Sequence, residues 1–193
     1  MKQLNATWLG AAHKPEEFLP EDGPEIALAG RSNVGKSSLL NALCGHVALA
    51  RVSKTPGRTR ALHFFKTDVG LTLVDFPGYG FAKGPSRDRD AWKALIEAYL
   101  SRRNALKAVA VLVDSRHEPS PEDRGLFDWL NSLKKNALCV ATKVDKLSGN
   151  EKPAQMAMLK AELKLNHKPI AFSSLTGEGR IELVVKLKEL ARA

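Results

Sequence analysis

The chain has 193 residues, 44% of them hydrophobic and 26% charged, enough for one well-cored domain of ordinary composition. Its longest apolar run, Ala108 to Val113, is far shorter than a membrane span, and Met1-Lys2-Gln3-Leu4-Asn5 lacks the apolar core of a signal peptide, so a cytoplasmic protein with no membrane partner is expected. Thirty basic side chains against 21 acidic give a net charge of +9, which suggests a polyanionic partner or, more simply, a well-solvated surface, since no RNA module with interleaved aromatics stands out.

Residues 1–24 read as a less regular extension packed on the domain, anchored by Trp8 and Phe18. From Glu25 onward, apolar β-rich runs alternate with amphipathic stretches, the pattern of a wound α/β sheet with helices on both faces. Six strands are predicted: Glu25–Ala29, Ala61–Lys66, Leu71–Asp75, Lys107–Asp114, Asn136–Thr142 and Pro169–Ser173. The turn Thr67-Asp68-Val69-Gly70 joins the second and third as a hairpin, leaving one antiparallel edge strand on a mostly parallel sheet. Helices are predicted over Ser37–Cys44, Arg89–Arg102, Pro121–Lys134, Pro153–Leu165 and Gly179–Ala193, the third starting close to a capping box of Ser120 and Asp123 with Pro121 in its first turn. Between Gly45 and Arg60 lies a connection too long for a simple turn, the kind of loop that carries function. Cys44 and Cys139 sit in apolar segments without metal-ligand spacing and read as buried, reduced thiols.

Four stretches carry chemistry. Gly30-Arg31-Ser32-Asn33-Val34-Gly35-Lys36-Ser37-Ser38 is a phosphate loop between a strand and a helix. Its glycines let backbone N–H groups curl around an anion, and the following helix adds the positive end of its dipole. Lys36 then reaches the β and γ phosphates, and the Ser37 hydroxyl ligates Mg2+. Asp75-Phe76-Pro77-Gly78 ends the third predicted strand, where the carboxylate can hold magnesium and the Gly78 N–H can meet a γ-phosphate. Thr142-Lys143-Val144-Asp145 resembles a guanine signature: Asp145 accepts from the ring N–H and exocyclic amine, Lys143 lies along the base, and Thr142 replaces the commoner Asn. Phe172-Ser173-Ser174 closes the next strand, where the Ser174 N–H could meet the guanine carbonyl.

With these motifs in order, the chain resembles translation-factor-class P-loop GTPases, and within them the EngB (YihA/YsxC) family of bacterial ribosome-assembly GTPases. Lys54-Thr55-Pro56-Gly57-Arg58-Thr59, Asp75 to Ala82 and Thr142 to Leu147 narrow it to that family, with Phe76 where Leu is usual and Phe81 where Tyr is frequent. The resemblance runs from about Glu25 to the C-terminus and implies a Ras-like G domain over residues 25–193 that binds GTP/GDP. It implies that Thr59 joins Ser37 and Asp75 on magnesium and that Gly57, Arg58, Thr59, Arg60 and Ala61 touch the nucleotide. It further implies a monomer that associates with the large ribosomal subunit precursor, through rRNA or ribosomal protein, and is needed for normal division and septation. Tyr79 stands where Ras-like proteins place a water-orienting glutamine, so intrinsic hydrolysis should be slow. Asn33 could help bind K+, as in related bacterial GTPases, and with Lys36 supply the catalytic charge, or it could simply bond within its loop. The loops Val47 to Arg60 and Gly78 to Ser86 are expected to be the switches, ordered by γ-phosphate and magnesium. A small nucleotide kinase and a binding module without turnover are the alternative classes; single-turnover hydrolysis with and without ribosomal subunits separates them.

Overall fold

The structure, a computed structural model, describes residues 3–45, 61–79 and 86–192, the side chains of 86–89 excepted. Gly57, Arg58, Thr59 and Arg60, and with them most of both expected switch loops, lie outside the described residues.

Among the described residues seven strands form one sheet: β1 (Ala6–Ala12), β2 (Glu25–Gly30), β3 (Leu62–Thr67), β4 (Thr72–Asp75), β5 (Leu106–Asp114), β6 (Ala137–Thr142) and β7 (Ile170–Phe172), in the order β1-β3-β4-β2-β5-β6-β7. Helices α1 (Lys36–Cys44), α2 (Ser86–Arg102), α3 (Pro121–Ser132), α4 (Glu151–Glu162) and α5 (Arg180–Arg192) complete a P-loop GTPase fold. The period-2 alternation of the strands divides the core. Ile26 and Leu28 of β2, with Ala110 and Leu112 of β5, face α1 and α5 through Leu39, Leu43, Leu183 and Leu187. Ala27 and Ala29, with Val109, Val111 and Val113, face α2, α3 and α4 through Leu95, Tyr99, Phe127 and Leu159.

The predicted sheet needs one correction. β3 is antiparallel to β4 as expected, but it is not an edge, because β1 pairs antiparallel along its other side, Ala6 opposite Thr67 to Ala12 opposite Leu62. A seventh strand follows from the open hydrogen-bonding groups that β3 would otherwise leave exposed. The N-terminal anchors also differ. Trp8 is 53% exposed on the new edge, whereas Leu4 is fully buried and its N–H donates to Leu43 O at 2.9 Å. Phe18 does pack inward, edge-on to Tyr99 at 5.4 Å.

Helix starts follow their caps. Ser120 and Asp123 form a reciprocal capping box on α3. α4 begins at Glu151 rather than Pro153 because Ser148 and Glu151 exchange the same pair of bonds, leaving Pro153 in the first turn, where its missing N–H costs nothing. Both thiols are free and buried, and burial pushes Cys44 up to about 11 and Cys139 up to about 12. Neither should react with an aromatic disulfide reagent at pH 8 in the native protein, and both should react on unfolding; a fast native phase in that titration would contradict the packing.

Candidate nucleotide site

The loops following β2, β4, β6 and β7 meet beyond the C-terminal ends of the strands, where open α/β sheets bind ligands. The phosphate loop turns into α1 through Gly35, whose φ of 112° suits glycine alone. The N-cap residue Gly35 has no side chain to cap α1, which suits first-turn N–H groups turned to an anion. Lys36, the first residue of that helix, donates from Nζ to Gly30 O at 3.3 Å, which holds the ammonium across the loop.

Asp75, at the end of β4, faces this lysine electrostatically. Its Oδ1 is buried with no hydrogen-bond partner among the described residues, and burial pushes its carboxyl up to about 6 while Lys36 opposes the shift. Burial in turn lowers Lys36, with Asp75 opposing. An orphaned buried carboxylate oxygen beside a phosphate loop fits a hard divalent cation such as magnesium, with Asp75 and Ser37 as the described residues that would hold it.

Gly78 lies so close to the loop that a Cβ there would come within 2.8 Å of Ser32 Oγ. Tyr79 is fixed on three sides. The Ser32 N–H donates to Tyr79 O at 3.0 Å, the Tyr79 hydroxyl donates to Asp123 Oδ1 at 2.7 Å, and its ring packs edge-on to Trp92 at 6.5 Å. The Trp92 indole donates to Pro77 O at 3.1 Å. Asp123 thus serves α3 as a cap and the post-β4 loop as an anchor.

Lys143 adopts φ 61°, and its Nζ donates to Asn33 O and to Asp114 Oδ2, both at 2.9 Å. The base-side motif is thereby tied to the phosphate loop. Asp114 also accepts two side-chain bonds from Arg116, at 2.9 and 2.8 Å, and these cations hold its carboxyl well below the usual range despite its partial burial. Thr142, expected against the purine, is 3% exposed and donates instead to Val34 O at 2.8 Å, because its short side chain ends inside the sheet rim. Val34, Phe76, Val144 and Phe172 likewise send their side chains into the core, so only their backbone could meet a ligand.

Asp145 lies in a 3-10 turn after Lys143, its Oδ1 accepting from Ser173 Oγ at 2.7 Å, and that bond holds its carboxyl below the usual range. The Ser173 oxygen itself accepts from the Leu175 and Thr176 N–H groups, which lock the hydroxyl toward Asp145. Ser174 is exposed beside it. Reading the sequence assigned no role to Asp114, Arg116 or Trp92, and to Asp123 only the cap of α3. An acid at the C-terminal end of an apolar central strand was the available signal for Asp114.

A family model described as "50S ribosome-binding GTPase" matches residues 25–143. A relative from Desulfotalea psychrophila, named "Probable GTP-binding protein EngB", is 48% identical over 97% of this chain and 98% of its own length. One of the same name from Desulforamulus reducens is 43% identical over 98% of this chain and 94% of its own. The crystal structure of a probable GTP-binding protein EngB superposes with a TM-score of 0.74 at 25% identity, over 87% of this chain and 98% of the other. Aquifex aeolicus Era bound to GDP and AlF4-, at 20% identity and a TM-score of 0.62 over 87% of this chain and 57% of its own, shares the fold.

Proposed function

The chain belongs to the EngB family of GTP-binding proteins and is a GTPase, and from that premise we propose that it is a switch assisting assembly of the large ribosomal subunit. Its effect on cell division and septation would follow from ribosome supply. The observation that carries the reading is the match of residues 25–143, which contain the phosphate loop, Asp75 and Lys143, to the ribosome-binding GTPase family. The net charge of +9 agrees with a partner rich in phosphate.

In this reading the first turn of α1, Lys36 and the Gly78 N–H hold the phosphates. Ser37, Asp75 and Thr59 would hold magnesium, which would offset phosphate charge. Lys143 lies along the guanine, and Asp145, oriented by Ser173, accepts from its ring N–H and amine. The protein works in the cytoplasm as a monomer.

Tyr79 gives its hydroxyl to Asp123 and its ring to Trp92, so it is not free to orient water, and unaided hydrolysis is slow. Asn33, which sits exposed at φ 64°, would hold a K+ that supplies the missing charge, or the ribosome would supply it. Single-turnover GTP hydrolysis, run in potassium and in sodium, with and without large subunits, tests this. Subunits should accelerate hydrolysis by more than about tenfold. Subunits that neither bind the GTP form nor change its rate would overturn the ribosomal reading, and equal rates in both salts would remove potassium from it.

A further inference from the structure

At the end of the sheet opposite the nucleotide site, a groove of about 450 Å³ opens between the C-terminal ends of α3 and α4, the start of β6 and the side of α5. Five lysines line it: Lys134, Lys135, Lys164, Lys168 and Lys186. The acids nearest them are few. Lys164 meets Asp128 at 3.7 Å and Lys186 meets Glu189 at 3.1 Å, while Lys134, Lys135 and Lys168 have no acidic partner among the described residues. Helix dipoles explain Lys134 and Lys164, which follow the last turns of α3 and α4. They do not explain Lys135 and Lys168, which lead into the strands β6 and β7. The acids between β1 and β2 in the chain, by contrast, meet cations: Glu17 lies 3.8 Å from Lys14, Glu21 3.9 Å from Arg103 and Asp22 3.0 Å from Lys66.

We propose that this groove docks the phosphate backbone of double-helical RNA. The inference rests on the ribosomal reading above and assigns it a surface. Lysine ammonium groups are flexible point charges suited to phosphate, and Asn131 and Asn166 beside them can bond ribose hydroxyls. A single strand would call for a series of stacking rings; Phe127 in the groove is 6% exposed and His167 is its one exposed ring. From Ala137 at the groove to Thr142 at the nucleotide end, β6 spans roughly 17 Å, so the groove can be altered without touching the nucleotide.

The test uses the full chain with two probes, purified large ribosomal subunits and a short RNA duplex, titrated across salt. Wild-type affinity for both should fall with a log–log slope approaching about −4, one counterion or so per lysine engaged. Lys135→Glu with Lys168→Glu should weaken both by about 30-fold or more and flatten the slope by about two, while GDP affinity and Tm stay at wild-type values. Lys93→Glu with Arg102→Glu, an equal charge change on the exposed face of α2, should leave most of the binding intact. The groove is overturned, and the ribosomal reading kept, if the groove variant binds subunits as the wild type does or if the α2 variant loses as much. Loss of subunit binding by the groove variant when the wild type ignores the duplex would make the partner a protein and overturn the RNA assignment. Groove-dependent duplex binding without any subunit binding by the wild type would support the groove and overturn the ribosomal reading.

Discussion

Asp145→Asn should lower the affinity for GTP and GDP by about 10³- to 10⁴-fold and make xanthosine triphosphate the better ligand. A carboxylate offers only acceptors, which match the N1–H and exocyclic amine of guanine; an amide offers one donor and one acceptor, which match xanthine, where a carbonyl replaces that amine. Ser173 Oγ at 2.7 Å already occupies one lone pair of Oδ1 and fixes the plane of the group, so the mismatch cannot be relieved by rotation. Because this bond holds the Asp145 carboxyl below its ordinary range, guanine preference should stay flat from neutral pH down to about pH 5. Competition between fluorescent guanine and xanthine nucleotides measures both effects. A variant that still prefers GTP would remove Asp145 from base recognition.

Arg103→Met should destabilise the fold by about 3 to 5 kcal/mol, the usual consequence of leaving one member of a buried ion pair alone. Glu25 and Arg103 are 2% and 7% exposed, and the guanidinium forks onto the carboxylate at 2.8 and 2.6 Å. The Tyr99 hydroxyl donates to the same carboxylate, and the guanidinium lies 5.7 Å from the Phe64 ring and 5.8 Å from the Tyr99 ring. Glu21 adds bonds to the Asn104 and Ala105 N–H groups, so the cluster joins the end of α2 to the start of β2. Replacing both partners, Glu25→Leu with Arg103→Met, should recover much of the loss, since no buried charge is then left unpaired. Urea unfolding of the three proteins reads the cycle. A cost below about 1 kcal/mol for Arg103→Met would show that water reaches Glu25 and takes over its solvation.

The chemistry of this protein was legible in its sequence because that chemistry depends on local backbone shape. A phosphate loop needs a strand, glycines where no side chain fits and a helix start, all within residues 25–44. The parallel strands β2, β5 and β6 were legible for a similar reason: buried parallel strands are continuous apolar runs, and the runs at Lys107–Asp114 and Asn136–Thr142 match β5 and β6 to within a residue. Helix ends were legible where the caps are close in sequence, as at Ser120.

Tertiary structure alone decided what depends on partners distant in the chain. β1 has one buried residue and no alternating burial pattern; it is a strand because β3 has a free edge. The hydroxyl of Thr142 turns toward Val34, 108 positions away, and Lys143 meets Asp114, 29 positions away, so a motif read as facing the base also fastens the phosphate loop. Ser173 orients Asp145 only because β6 and β7 are neighbours. The lysines of the groove come from two connections and from α5, which nothing in the sequence places side by side. Local sequence specifies backbone geometry through short-range sterics and hydrogen bonds, whereas charge pairing and edge pairing are energies between surfaces that exist only once the sheet has formed.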